Sequence, residues 1–504
     1  MTHEIMADPT SRLTEVFQGG MGVAVSNHEL AGTVAGYGET GIISGTAIGV
    51  VLARRLQDGD PGSYMQDALR AFPDQNMADE IIDSYLIEGG RSFDAQYKSI
   101  PMLAARGLPK AIKLNIAGAF SEVWLAKRKA SQLSDTPGPI GMNLLTKLQA
   151  LTLSALYGAI LAEVDFVAMG AGIPHDIPEA IGNLALGERA HTHFDVTDSP
   201  SPGSDKIYFD PADYPTLFEG QRKTPAFLAI VSSYILALRL SQNKVPPSGF
   251  IVEFPSAGGH NSPPRQKTYD DLGNLLPVYG KRDEINLSKI AGVELPFWCA
   301  GSYGTPQGLI AAKEAGARGI QVGSAFALST DSGIPKGIRD ELVQLALDDE
   351  LEVVTDMLAS PTGFPFKVPS LKGTLSEPEV YEQRERICDL GYLREAYQTT
   401  NRRGQPTIGY RCPSEPIKDY LAKGGSIEAT VGRKCLCNGL VSLVELGQIR
   451  MRPGMDEPEK EPVILTMGDQ AAEVVRQIEP IFGKDYTAPN VIDFLHGRGP
   501  KVTT

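Results

Sequence analysis

The chain has 504 residues, with 47 Lys and Arg against 61 Asp and Glu, a formal net charge of −14. That acidic balance excludes a general affinity for nucleic acid or anionic lipid, while leaving room for a local anion-binding pocket. Hydrophobic residues at 42% and charged residues at 21% are those of an ordinary globular protein with ample core, and five cysteines are too few for a disulfide-stapled secreted scaffold.

The N-terminal segment has no basic stretch followed by an apolar core, so no secretory leader is expected. The most apolar stretches, 148–162 and 224–238, are too short to span a bilayer, so a cytoplasmic protein without membrane or nucleic-acid partners is expected. Eight short apolar runs then follow in order, at 16–21, 41–44, 139–144, 164–169, 226–232, 250–254, 296–300 and 319–322. Most precede helix-like segments, such as 144–162, 234–242 and 305–315. Continuous apolar runs suit strands covered on both faces. Eight such units predict an α/β fold, a TIM (β/α)8 barrel over 1–331. An insertion at about 56–110 carries helix patterns at 64–72 and 77–88. Segment 189–214, rich in Asp, Ser and Pro, reads as a loop or ribbon. From 332 to 504 the β–α repeat stops; this part, with helix patterns at 338–357 and 471–482, is expected to cap the catalytic end.

Four segments at strand ends carry the chemistry. Gln18-Gly19-Gly20-Met21-Gly22 closes the first run, where bare backbone lets a flat ligand approach; a tight βα turn is the plain alternative. It lacks the spacing of a Rossmann fingerprint. Ser256-Ala257-Gly258-Gly259-His260-Asn261 follows the sixth run. An imidazole there can take or give a proton near neutrality, and Gly258 and Gly259 are expected to expose N–H groups as an anion nest. Ala300-Gly301-Ser302-Tyr303-Gly304 and Gln321-Val322-Gly323-Ser324 follow the seventh and eighth runs, where barrels frequently bind phosphate; Ser302 and Ser324 add hydroxyls. Asn143, Ser232-Ser233 and Glu253 end other runs, as ligand contacts or as turn and cap residues.

The order of these motifs resembles the nitronate monooxygenases, formerly called 2-nitropropane dioxygenases, over about residues 15–330. Segments 41–45 and 141–145 join the likeness, which is strongest at 257–260 and 321–324. The run from Phe297 to Gly304 and the Cys-containing tail are similar to a longer subgroup. After His260 the chain departs from the family, with Asn261-Ser262-Pro263-Pro264 in place of a basic residue and glycine. The resemblance implies a flavin-dependent TIM barrel holding FMN, with His260 as the active-site histidine. It places Met21 and Gly22 against the ring system and Asn143, Glu253, Gly258, Gly301, Gln321, Val322, Gly323 and Ser324 at the cofactor, beside Gly259 and Ser302. The implied activity is oxidation of a nitronate by dioxygen. The alternatives are an NAD(P)H-dependent flavin reductase acting on a quinone or an enoyl thioester, and a cofactor-free scaffold. A homo-oligomer is left open.

Cys388, Cys412, Cys435 and Cys437 cluster in the tail. Four thiolates can hold zinc or an iron–sulfur cluster, but the single-residue spacer between Cys435 and Cys437 is short for zinc, and buried inert thiols are the plain reading. No metal ligand is assigned. Cys299 reads as strand packing, and the charged stretch 455–461 as a solvated loop.

Overall fold

A computed structural model describes residues 8–102, 108–201, 203–218, 220–271, 275–451 and 457–499. Eight parallel strands form its centre: β1 (Val16–Gln18), β2 (Gly41–Ser44), β3 (Ile140–Leu145), β4 (Phe166–Gly170), β5 (Ala226–Val231), β6 (Gly249–Glu253), β7 (Phe297–Ala300) and β8 (Gly319–Val322). From β2 to β8 each pairs with its neighbours in sequence, and β1 pairs with β8. The ring closes between β1 and β2 through Thr40. Gln18 N–H donates to Thr40 O at 3.0 Å, and Thr40 N–H donates to Val16 O at 3.1 Å. The Gln18 side chain extends that ladder, its Oε1 accepting from Ile42 N–H at 3.0 Å. The fold is a (β/α)8 barrel.

Strands end earlier than the apolar runs suggest at one informative place. The first run was expected to reach Met21, but β1 stops at Gln18, and Gly22 turns the chain with a φ of +53°. The third helix pattern, expected from 144, begins at Gln149, because Leu144 and Leu145 complete β3.

Side chains alternate inward and outward along each strand. The inward set at the N-terminal end is large: Phe17, Ile42, Phe166, Leu228, Ile251 and Trp298 form one buried cluster with Leu13 beneath them. Phe17 stacks on Trp298 at 4.6 Å between ring centres and tilts against Phe166 at 5.5 Å. Gly141 on β3 makes room for this packing, since a Cβ there would sit 2.2 Å from the Phe166 ring. Outward residues such as Val16, Val167, Phe250 and Cys299 pack under the surrounding helices.

Two helices stand in the expected insertion, Tyr64–Arg70 and Gln75–Tyr85, after Ile48–Gln57. The outer helix of the second unit is the long Pro109–Leu133, for which no element was expected. Segment 189–214 contains an antiparallel ribbon, Ala190–His193 with Lys206–Phe209.

Beyond 332, the helix expected at 338–357 is Lys336–Leu347. It stops because Asp349 is left-handed, with a φ of +61°, and Val353–Asp356 instead pairs as a strand with Phe366–Pro369. Helix Ala471–Phe482 lies where it was expected, and with Ala488–Leu495 it buries its apolar face in the barrel's outer core. A second cluster joins Val23, Ala47 and Val50 to Phe366, Leu436, Leu440 and Ile464, so tail segments cover the loops after β1 and β2. The solvated-loop reading of 455–461 needs correction. Its first two residues lie outside the described ones, Glu459–Lys460 pairs with Ile449–Arg450, and Glu461 is buried between Arg384, at 2.5 Å, and Arg450.

Candidate functional site

The alternation that fills the barrel floor empties its rim. Two residues beyond Gly141, Ile251, Trp298 and Gly319, the inward positions carry Asn143, Glu253, Ala300 and Gln321. All four line one cavity at the C-terminal ends of the strands. The glycine loops form its walls, so Met21, Gly22, Gly258, Gly259, His260, Gly301, Ser302, Val322, Gly323 and Ser324 line the same cavity. The residues that the resemblance places at the cofactor, and His260, are therefore in one place. Ser232 and Ser233 are not. Ser232 lines a neighbouring hollow, and the Ser233 hydroxyl caps helix Tyr234–Ser241 by accepting from Leu236 N–H at 3.2 Å.

His260 is held from the tail. Its Nε2 lies 2.7 Å from Ser360 Oγ, and Phe366 meets its ring edge-on at 4.9 Å. The backbone is clamped as well: His260 bridges to Phe366, Lys367 N–H donates to Gly259 O at 3.0 Å, and Asn261 N–H to Pro365 O at 3.0 Å. Burial, with a smaller contribution from the Lys147 charge, lowers the imidazole's pKa to about 4, so it is neutral at pH 7. Glu253 moves the opposite way. Burial alone pushes its carboxyl up to about 8, so it carries a proton at pH 7. No Lys or Arg is found among the described residues that line the cavity. Lys147 stands over the Phe364 ring at 4.7 Å.

The expected glycine nest needs revision at Gly259. Its N–H donates to Thr466 Oγ1 at 2.6 Å and is not offered to a ligand. Ser302 likewise donates to Ser256 Oγ at 2.5 Å, which leaves Ser256 the hydroxyl with a hydrogen to spare. Ser324 Oγ accepts from Gly468 N–H at 2.9 Å and keeps its own hydrogen. Ser360, Phe366, Thr466, Met467 and Gly468 were not anticipated. They come from a part of the chain without β–α repeats, and only tertiary packing brings them to the rim.

The donor set fits a flavin mononucleotide. Asn143 lines the cavity with its Nδ2 on Gly20 O at 3.2 Å, while its Oδ1 is buried without a partner and can accept from a heterocycle N–H. Bare backbone continues on the far side at Gly301, whose φ of +85° and 3.0 Å approach to Ala257 N leave no room for a side chain.

Cys299 is buried on the outward face of β7, and burial raises its thiol to about 12, consistent with packing. Among the described residues, no three His, Cys, Asp or Glu side chains are placed to hold a single metal ion. No described helix is long and apolar enough to cross a membrane.

Fold and cavity together define a (β/α)8-barrel protein with a ligand cavity at the C-terminal rim. No protein-family model matches the chain, and no curated protein sequence matches it. Among solved structures it is similar to FabK from Thermotoga maritima, at 15% identity over 96% of this chain and 93% of that one, with a TM-score of 0.45. It is also similar to nitroalkane oxidase from Streptomyces ansochromogenes, at 12% identity over 98% and 97%, TM-score 0.46. A third is the enoyl reductase domain of MlnA from the macrolactin biosynthesis cluster of Bacillus amyloliquefaciens, at 12% identity over 97% and 95%, TM-score 0.43.

Proposed function

We propose that the protein is an FMN-dependent oxidoreductase. The observation that carries this reading is the convergence of the loops after β1, β6, β7 and β8 on one cavity with Asn143, Glu253 and His260. Gly301, Gly323 and Ser324 would hold the phosphate, Asn143 the ring edge, and Met21 with Gly22 the ring face. When bound, FMN supplies two-electron transfer.

For the reaction, the geometry favours reduction of a neutral activated double bond, a quinone or an enoyl thioester, with NADH or NADPH as donor. Such a reduction consumes a proton besides the hydride, and the protonated Glu253 carboxyl holds one inside the cavity. Neutral His260, fixed by Ser360, orients a substrate through its other ring nitrogen. The second reading is oxidation of a nitronate by dioxygen. It draws on the same imidazole, which is unprotonated at pH 7 and free to accept a proton, although its lowered pKa makes it a weak base. A nitronate is already an anion, however, and no described cationic residue lines the cavity to receive it.

Anaerobic mixing of the yellow protein with NADH, NADPH and propyl-3-nitronate in parallel separates the two. Bleaching by a pyridine nucleotide, reversed by a quinone or an enoyl thioester, is the expected result. Bleaching by the nitronate alone transfers the assignment to the second reading. A colourless protein that takes up no added FMN overturns both.

A further inference from the structure

The four tail cysteines come from three segments of the chain, yet all line one small hollow. Cys388 lies in the loop after helix Pro378–Gln383, and Cys412 directly follows strand Pro406–Arg411. Cys435 precedes helix Leu436–Leu443, and Cys437 lies in its first turn. Together with Gly391, Leu393 and Arg394 they surround a space separate from the flavin cavity. Nothing in the oxidoreductase reading uses them.

Burial keeps the free Cys412, Cys435 and Cys437 thiols protonated, yet N–H groups lie beside the sulfurs. The Cys388 and Cys412 thiols are within hydrogen-bonding reach of each other. The Ser414 amide reaches Cys412, the Asn438 amide reaches Cys435, and the amides of Tyr392 and Leu393 reach Cys437. Asn438 Nδ2 adds a contact to Cys435 Sγ at 3.5 Å. N–H groups directed at sulfur stabilise negative thiolates and tune bound clusters. Arg394 in the wall brings positive charge to the same space.

We propose that this hollow holds an iron–sulfur cluster through Cys388, Cys412, Cys435 and Cys437. The donor set is all sulfur, which suits iron–sulfur chemistry. The four thiols line the hollow, and no three of them are placed for a single ion. A polynuclear centre adds its own inorganic sulfide and so does not need three thiolates on one iron. Each cysteine gives up its S–H proton as its iron–sulfur bond forms.

The test is iron and acid-labile sulfide analysis of the full chain purified without oxygen or chelator, and again after reconstitution with ferrous iron and sulfide. Iron and sulfide in equal amounts, about two to four of each per chain, are expected. A paramagnetic resonance signal should appear on one-electron reduction, distinct from that of a flavin radical. Cys437→Ser and Cys388→Ser should lose most of the iron, whereas Cys299→Ser, outside the hollow, should keep it. Circular dichroism of each variant separates ligand loss from unfolding, and the wild-type analysis decides the matter if the variants do not fold. About one zinc per chain without sulfide overturns the cluster. Five alkylatable thiols in denatured protein that takes up no metal overturn the site.

Discussion

The two ends of the same eight strands are built oppositely. At the floor the inward positions hold Phe17, Phe166 and Trp298, buried and packed ring on ring; at the rim, one alternation further on, they hold Asn143, Glu253, Ala300 and Gln321 and give way to glycine loops. The floor is dense and apolar, which stabilises the ring by burial. The rim is hollow, and its polar groups are incompletely satisfied by protein. Stability and chemistry are thus assigned to successive layers of one barrel, so substitutions in the two layers should report on different quantities.

The largest expected effect is at the rim. His260→Asn should lower turnover by ~10²–10⁴-fold with FMN still bound, as measured by steady-state kinetics and flavin content. A variant that turns over at the wild-type rate removes the catalytic role. At the floor, Trp298→Ala should cost ~3–5 kcal/mol in urea unfolding while the folded fraction keeps its specific activity. Equal damage to both quantities by either variant breaks the separation of layers.

Glu253 sharpens the contrast, because a rim residue there lowers stability in a pH-dependent way. Its carboxyl is held near 8 by burial against an ordinary 4.5, so the folded protein keeps a proton that the unfolded chain releases. The stability this proton provides is complete below about pH 4.5 and is lost as pH rises through about 8, by at most ~1.4 kcal/mol per pH unit. Glu253→Gln, uncharged throughout, should flatten the unfolding curve in that window; an unchanged slope would show that the carboxyl is not the source. The smallest effect is expected at Ser360, which bonds His260 without itself lining the cavity. Ser360→Ala removes the hydrogen bond to His260 along with two to Thr362, each worth ~0.5–1.5 kcal/mol, and should reduce kcat by ~2–10-fold and shift its pH profile, as read by steady-state kinetics.

How much of this was legible depended on distance along the chain. The strands were readable because burial on both faces leaves short uninterrupted apolar runs, as in Phe297–Ala300. The rim loops were readable because Gly258, Gly301 and Gly323 stand in order at strand ends. Helix Pro109–Leu133 escaped because half of its buried positions are Ala, Gly or Ser, Ala111, Ala117, Ala119 and Ala126 among them, and form a weak stripe. Ser360 and Thr466 escaped for a different reason. They are 100 and 207 residues from the partners they bond, and no local pattern records such a contact. The overrun at 338–357 came from a single left-handed aspartate that periodicity does not register.

The stacked rings at the floor also govern traffic. Phe17 and Trp298 seal the barrel from below, so molecules that come to the rim cavity must depart on the side by which they arrived. Two reactants too large to occupy the cavity together would then have to take turns, and initial-rate plots at varied concentrations of both should run parallel.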